Sequence, residues 1–185
     1  MYSSSVTTGD FEEYVAHDVV AYIDAHYRTV PDRSSRGLVG HSMGGYGALK
    51  IAMKHPDMFG SASAHSAVLL SDLSAAKVSA GRLARFQALF DKIYGINTDL
   101  TYWEANNPMT LAKDTKKLNG MKLYFDCGTE DDYGFDVGTR ELDAMLTKAS
   151  YPHESHLYPG RHGWDFAMQH TSESLLFHWK AFSGK

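Results

Sequence analysis

The 185-residue sequence is poor in several things, and each shortage excludes something. Cys127 is its only cysteine, so no disulfide can form within the chain. A single cysteine suits a reducing compartment, and the cytoplasm is the expected location. No apolar run approaches the roughly 20 residues needed to span a bilayer. The opening stretch, MYSSSVTTGD, has no basic region followed by an apolar one, so it does not read as a signal peptide. Positive charge is also scarce. Eighteen Lys and Arg face 22 Asp and Glu, for a net charge of -4 at pH 7. Nothing in that balance would hold nucleic acid or an anionic membrane. There is no internal repeat, low-complexity tract or linker, so residues 1–185 read as one domain.

What is present is ordinary globular material, with 43% hydrophobic residues, enough for one core. Asp10 with Glu13 reads as a capping box. Phe11, Tyr14, Val15, Val19, Tyr22, Ile23 and His26 follow at helical spacing, predicting an amphipathic helix from Phe11 to Tyr27. RGLVG is a short buried strand, and Gly44 to His55 a helix stopped by Pro56. GSASAHS (60–66) reads as a second strand and MKLYFDCG (121–128) as a third. Phe135 to Ala149 is helical, HESHLYPG an alternating strand, and Trp164 to Phe182 a closing helix. Between them, SAGRLARFQALFDKIYG has helical spacing, and YWEANNPMTLA reads as a loop entering a short helix. Strands alternating with helices predict an α/β fold, a parallel sheet covered on both faces. In such sheets chemistry gathers at the C-terminal strand ends. Ser42, Asp131 and His162 each follow a strand, so all three fall on one sheet edge.

Ser42 lies in GHSMG, a G-x-S-x-G elbow between a strand and a helix. A serine hydroxyl is a weak nucleophile that needs a base and a group to orient that base. The turn is tight, which calls for small residues at Gly40 and Gly44. The Met43 N–H, at the start of the following helix, is a candidate oxyanion donor. His162, in YPGRHGWDF, is the candidate base. His153 and His156 are alternatives, but they fall inside the predicted strand. The loop DCGTEDDYGFD offers several acids. Asp131 is preferred and Asp132 is its competitor. The order Ser, Asp, His is that of the α/β-hydrolases. Trp164 and His41, each beside a candidate catalytic residue, are candidate substrate-binding positions. Residues 67–120 have mixed character. Leu69, Leu70, Phe86, Phe90, Tyr94, Tyr102 and Trp103 could line an acyl pocket there or pack helices. A metal site built from His153, His156 and His162 is disfavoured, because strand alternation sends the first two to opposite faces. Neither a metal nor a cofactor is expected.

Three segments, RGLVGHSMGGYGALKIAMKHPDMFGSASAHS, YFDCGTEDD and YPGRHGWDF, resemble the esterase family of α/β-hydrolases. That family includes feruloyl, acetyl and tributyrin esterases, S-formylglutathione hydrolases and mycolyltransferases. The resemblance implies a Ser42 nucleophile, an Asp131 acid and a His162 base acting on small-molecule esters. The GRHGWDF loop is more similar to the feruloyl and tributyrin esterases than to the S-formylglutathione hydrolases. The chain departs from the family at its front. Only 41 residues precede Ser42, with no HGGG-like loop to supply a second oxyanion donor. The strands that pair with RGLVG in the family are not recognisable. The expectation is a fragment of a longer esterase whose exposed strand edge is covered by a second copy. A non-catalytic remnant and an acyltransferase are the competing possibilities.

Overall fold

The computed structural model describes residues 2–5, 7–71, 90–95 and 99–184. A short antiparallel pair, β1 (Ser4–Ser5) and β2 (Gly9–Asp10), leads into a helical segment. That segment is α1 (Phe11–Glu13), a π-helical turn (Tyr14–Asp18) and α2 (Val19–His26). Then come β3 (Gly37–His41), α3 (Met43–Lys54), β4 (Ser61–His65), α4 (Leu100–Ala105) and α5 (Pro108–Leu111). The chain closes with β5 (Lys122–Gly128), α6 (Phe135–Lys148), β6 (Glu154–Tyr158) and α7 (Trp164–Ser183). The predicted strands and the three long helices after them are present to within about two residues at each end. The YWEANN stretch is a correction, because Asp99 caps the Tyr102 N–H and residues 100–105 are already helical. Most of SAGRLARFQALFDKIYG, and Phe86 with it, lies outside the described residues.

Strands β3, β4, β5 and β6 pair in that order, all parallel. Their two faces differ in chemistry, and alternation shows why. In β4, Ala62 and Ala64 point to one side, with Leu123 and Phe125 of β5. They meet Leu49, Ile51 and Ala52 of α3 and Leu142 and Leu146 of α6 in the main apolar core. Ser61, Ser63 and His65 point to the other side with Tyr124 and Asp126, under Ser174, Phe177 and His178 of α7. That second layer is built on hydrogen bonds rather than aliphatic packing.

The first helical segment is amphipathic in the wrong phase for the simple prediction. Phe11, Tyr14, Tyr22 and Ile23 are exposed, whereas Glu12 and Ala16 are buried. Glu12 is drawn inward by Lys50 and Lys54, both 2.8 Å away. Burial raises the Glu12 carboxyl pKa, yet the two lysines outweigh it and pull it down to about 2. The buried ion cluster decides which side faces in. The capping box is not formed either. Asp10 makes no side-chain cap bond and accepts instead from the Ser4 hydroxyl.

One edge of the sheet is left unpaired among the described residues. β3 has β4 on one side only, and Val39 is 52% exposed. A groove of about 430 Å³ runs beside it, lined by Val15, Ile23, Leu38 and Phe59 among others. Among the described residues, no helix is long and apolar enough to cross a membrane.

Candidate active site

The strand-to-helix turn after β3 puts Ser42 at φ 56°, a left-handed conformation that costs a non-glycine residue energy. Backbone bonds hold it there. The Ser42 N–H donates to the His65 carbonyl at 2.8 Å, and the Ser42 carbonyl accepts from Tyr46 N–H at 3.1 Å. The tightness of the turn falls on Gly40, where a Cβ would collide with the Gly44 carbonyl, and on Gly45, where it would press on Ala67. Gly44 corrects the sequence expectation, because a Cβ there meets nothing within 4 Å. It lines a small cavity opening beside Val39, on the unpaired side of the sheet.

The loops after β5 and β6 are fastened together. Glu130 N–H donates to the Gly160 carbonyl at 2.9 Å and Thr129 N–H to Tyr158 at 2.8 Å. Gly128 permits this approach, since a Cβ would strike the Gly160 carbonyl. Asp131 and His162 are thereby brought side by side. His162 Nδ1 donates to Asp131 Oδ2 at 2.7 Å, and Ser42 Oγ donates to His162 Nε2 at 2.9 Å. Asp131 Oδ1 accepts from the N–H groups of Tyr133 (2.9 Å) and Phe135 (3.3 Å). Cys127 Sγ donates to Oδ2 at 3.5 Å. Burial raises the Asp131 pKa, but the His162 bond and these backbone donors outweigh it and hold the carboxyl below its usual range. Asp131 therefore stays ionised beside His162.

Asp132, its competitor, points away and pairs with Arg161. The His162 ring is walled by Tyr133 and Phe135, edge-on at 4.8 and 5.5 Å between centroids, and by His41 at 5.0 Å. His41 in turn meets Trp164 at 5.1 Å. Trp164 is 71% exposed, so it forms part of the surface beside the site rather than of the core. Burial, then the neighbouring His162, pushes the His41 pKa down to about 4, which keeps its ring neutral beside His162. Met43 opens α3 directly after the serine. Of the residues offered for an acyl pocket, Leu69 belongs to the main core. Phe90, Tyr94 and Trp103 are buried in a second cluster with Cys127 and Phe135, against which Leu70 and Tyr102 pack. His153 is held by Asp143, and His156 stacks on Tyr158 and lies tilted against Tyr124.

A second arrangement was not anticipated. His65 Nδ1 lies 2.7 Å from Asp126 Oδ2, and His65 Nε2 lies 2.9 Å from Ser174 Oγ. Strand register contributes, since His41, His65, Asp126 and His156 are direct partners across the four strands. The visible signal was polar alternation in a strand that should be buried, SASAH. Ser174, in the middle of α7, gives none.

The family model described as "Putative esterase" matches residues 3–171. The chain belongs to this esterase family. Esterase Rv1288 of Mycobacterium tuberculosis is 30% identical to it over 181 residues, covering 86% of this chain and 38% of that relative. The chain thus spans well under half of the curated relative's length. Among solved structures, a ferulic acid esterase superposes with a TM-score of 0.73 at 22% identity, over 94% of this chain and 62% of that one. Staphylococcus aureus FphF, a fluorophosphonate-binding serine hydrolase, gives 0.75 at 22%, over 96% and 66%. An S-formylglutathione hydrolase of Agrobacterium tumefaciens gives 0.74 at 19%, over 98% and 62%. At these identities the structural likeness speaks for the fold alone. The chain therefore has the α/β-hydrolase-type sheet, with four parallel strands between helices on both faces.

Proposed function

We propose that the chain is a serine carboxylic ester hydrolase working through an acyl-enzyme. The carrying observation is the continuous bond path from Ser42 through His162 to Asp131 at the sheet edge. Ser42 Oγ attacks the ester carbonyl while His162 Nε2 takes its proton. The carbonyl oxygen gains negative charge, and the Met43 N–H donates to it. His162 returns the proton to the departing alcohol, leaving an ester on Ser42. Water then enters, gives its proton to His162 and attacks the acyl carbon; the Ser42 Oγ–acyl bond breaks, His162 returns the proton to Ser42 Oγ, and the acid leaves. Asp131 orients the imidazole and stabilises it while it carries the extra proton.

Short-chain or aryl esters, acetyl or feruloyl, are the proposed substrates. The support is the likeness to a ferulic acid esterase and the flat indole of Trp164 beside His41, both taken as substrate-facing. A cap is proposed at residues 67–120, of which 72–89 and 96–98 lie outside the described residues. The test is hydrolysis of p-nitrophenyl acetate, butyrate and ferulate by the chain and by Ser42→Ala. Serine-dependent turnover is expected, and equal rates for the two proteins overturn the assignment. A second copy is proposed to cover β3, because a two-fold axis at an open edge pairs the strand with itself and closes the assembly. Light scattering should give a dimer that Val39→Lys dissociates, whereas a monomer at all concentrations overturns it.

A further inference from the structure

A second group of polar side chains lies away from the serine. Glu13 and His17 project from the first helical segment, four residues apart, and His55 caps the far end of α3. One ligand atom from each falls within 4.8 Å of the others. His17 Nε2 lies 3.5 Å from Glu13 Oε2, and the two imidazoles meet edge to face at 5.2 Å. We infer that Glu13, His17 and His55 form a binding site for one divalent transition-metal ion of the zinc class.

Two imidazoles and a carboxylate are a borderline donor set. It suits Zn²⁺ and its neighbours and does not suit Mg²⁺ or Ca²⁺, which want oxygen. Tetrahedral zinc with ligands at about 2.1 Å sets its donor atoms roughly 3.4 Å apart. The Glu13–His17 pair is already at that spacing, the widest pair must close by up to about 1.4 Å, and Glu13 and His17 are half-exposed. His55 is already oriented. Its Nε2 lies 3.0 Å from Glu12 Oε1, and an imidazole that gives its N–H to a carboxylate keeps a lone pair on its other nitrogen. A carboxylate behind a histidine ligand is a common way to fix the tautomer and raise ligand basicity. The charges are arranged to match. Glu12 is neutralised by Lys50 and Lys54, which leaves Glu13 as the anion facing the ion. A bound ion would pin the first helical segment to the end of α3, the helix that follows Ser42.

The experiment is calorimetric titration of chelator-stripped, full-length chain with ZnCl₂, beside CaCl₂. One zinc per chain is expected, with no calcium heat. Tm should rise by about 5 °C at a hundredfold excess over Kd. His17→Ala and Glu13→Gln, each checked for native circular dichroism, should both lose the binding and the Tm shift. X-ray absorption should count two imidazoles per zinc. Absence of zinc heat overturns the inference, and so does zinc binding by His17→Ala equal to that of the parent, since other surface histidines would then be responsible. Ser42→Ala should bind zinc unchanged, so this site and the esterase assignment fail independently.

Discussion

Two Ser–His–Asp relays run through this chain with the same spacings. Ser42, His162 and Asp131 sit at 2.9 and 2.7 Å, and Ser174, His65 and Asp126 also sit at 2.9 and 2.7 Å. Distance alone does not make a nucleophile. Ser42 stands on a turn at positive φ with a helix starting behind it, whereas Ser174 is in the middle of α7, where its hydroxyl also lies 3.0 Å from the Thr171 carbonyl. One hydroxyl proton cannot serve both that carbonyl and His65. Asp131 has both oxygens bonded, while Asp126 Oδ1 has no hydrogen-bond partner among the described residues. Ser174, His65 and Asp126 are 0%, 3% and 1% exposed, so no ester can reach them. The inner relay ties α7 to the sheet, and the outer one is open to chemistry.

The largest expected contrast is between the two serines. Ser42→Ala should lower p-nitrophenyl acetate turnover by about 10⁴-fold or more. Ser174→Ala should leave turnover within about threefold and cost about 1 kcal/mol in urea unfolding. If Ser174→Ala removes activity from a folded protein, the division of labour is wrong. The acids should split the same way. Asp131→Asn should cost about 10³- to 10⁴-fold in kcat with little change in stability. Asp126→Asn breaks a buried pair and should cost about 3 kcal/mol of stability, with activity following the folded fraction.

Acid should loosen the inner layer. His178 bridges Ser61 and Ser63 at 2.8 Å each, and burial, then the nearby His65, pushes its pKa down to about 4. The unfolded chain, near the ordinary 6.5, binds that proton more readily. The stability His178 supports is therefore complete above pH 6.5 and falls as pH drops toward 4, by about 2–3 kcal/mol at most. Urea midpoints at pH 7, 5.5 and 4.5 should decline in that window and decline less in His178→Gln, the remainder coming from His41, whose pKa burial lowers in the same way. The smallest effect belongs to Cys127. Burial, then Asp131, pushes its thiol up to about 12, so it remains an S–H donor to the acid. Cys127→Val should lower kcat about two- to fivefold, and Cys127→Ser should restore most of it. Equal rates for all three would remove the thiol from the site.

Much of the outer site could be read from the sequence because its parts are local. Each residue follows a strand whose apolar run and glycine boundary are visible, and parallel strands bring their ends to one edge. The choice of Asp131 over Asp132 was harder, since only the loop's fold turns Asp132 toward Arg161. The inner relay was hidden because Ser174 meets His65 only after α7 is laid across the sheet. The inward face of the first helix is hidden from the sequence for a similar reason. Its apolar periodicity is real, but the Glu12–Lys50 pair, distant in sequence, overrides it.

By itself, then, the sequence determined the order of strands and helices, the elbow at Ser42 and the edge that gathers Asp131 and His162. These follow from periodicity and turn chemistry within a few residues. Tertiary structure alone decided which of two equal relays is reachable, which face of the first helix turns inward, and that Gly40 rather than Gly44 bears the tight approach. Burial and solvent access are set by segments far apart in the chain, and no local pattern encodes them.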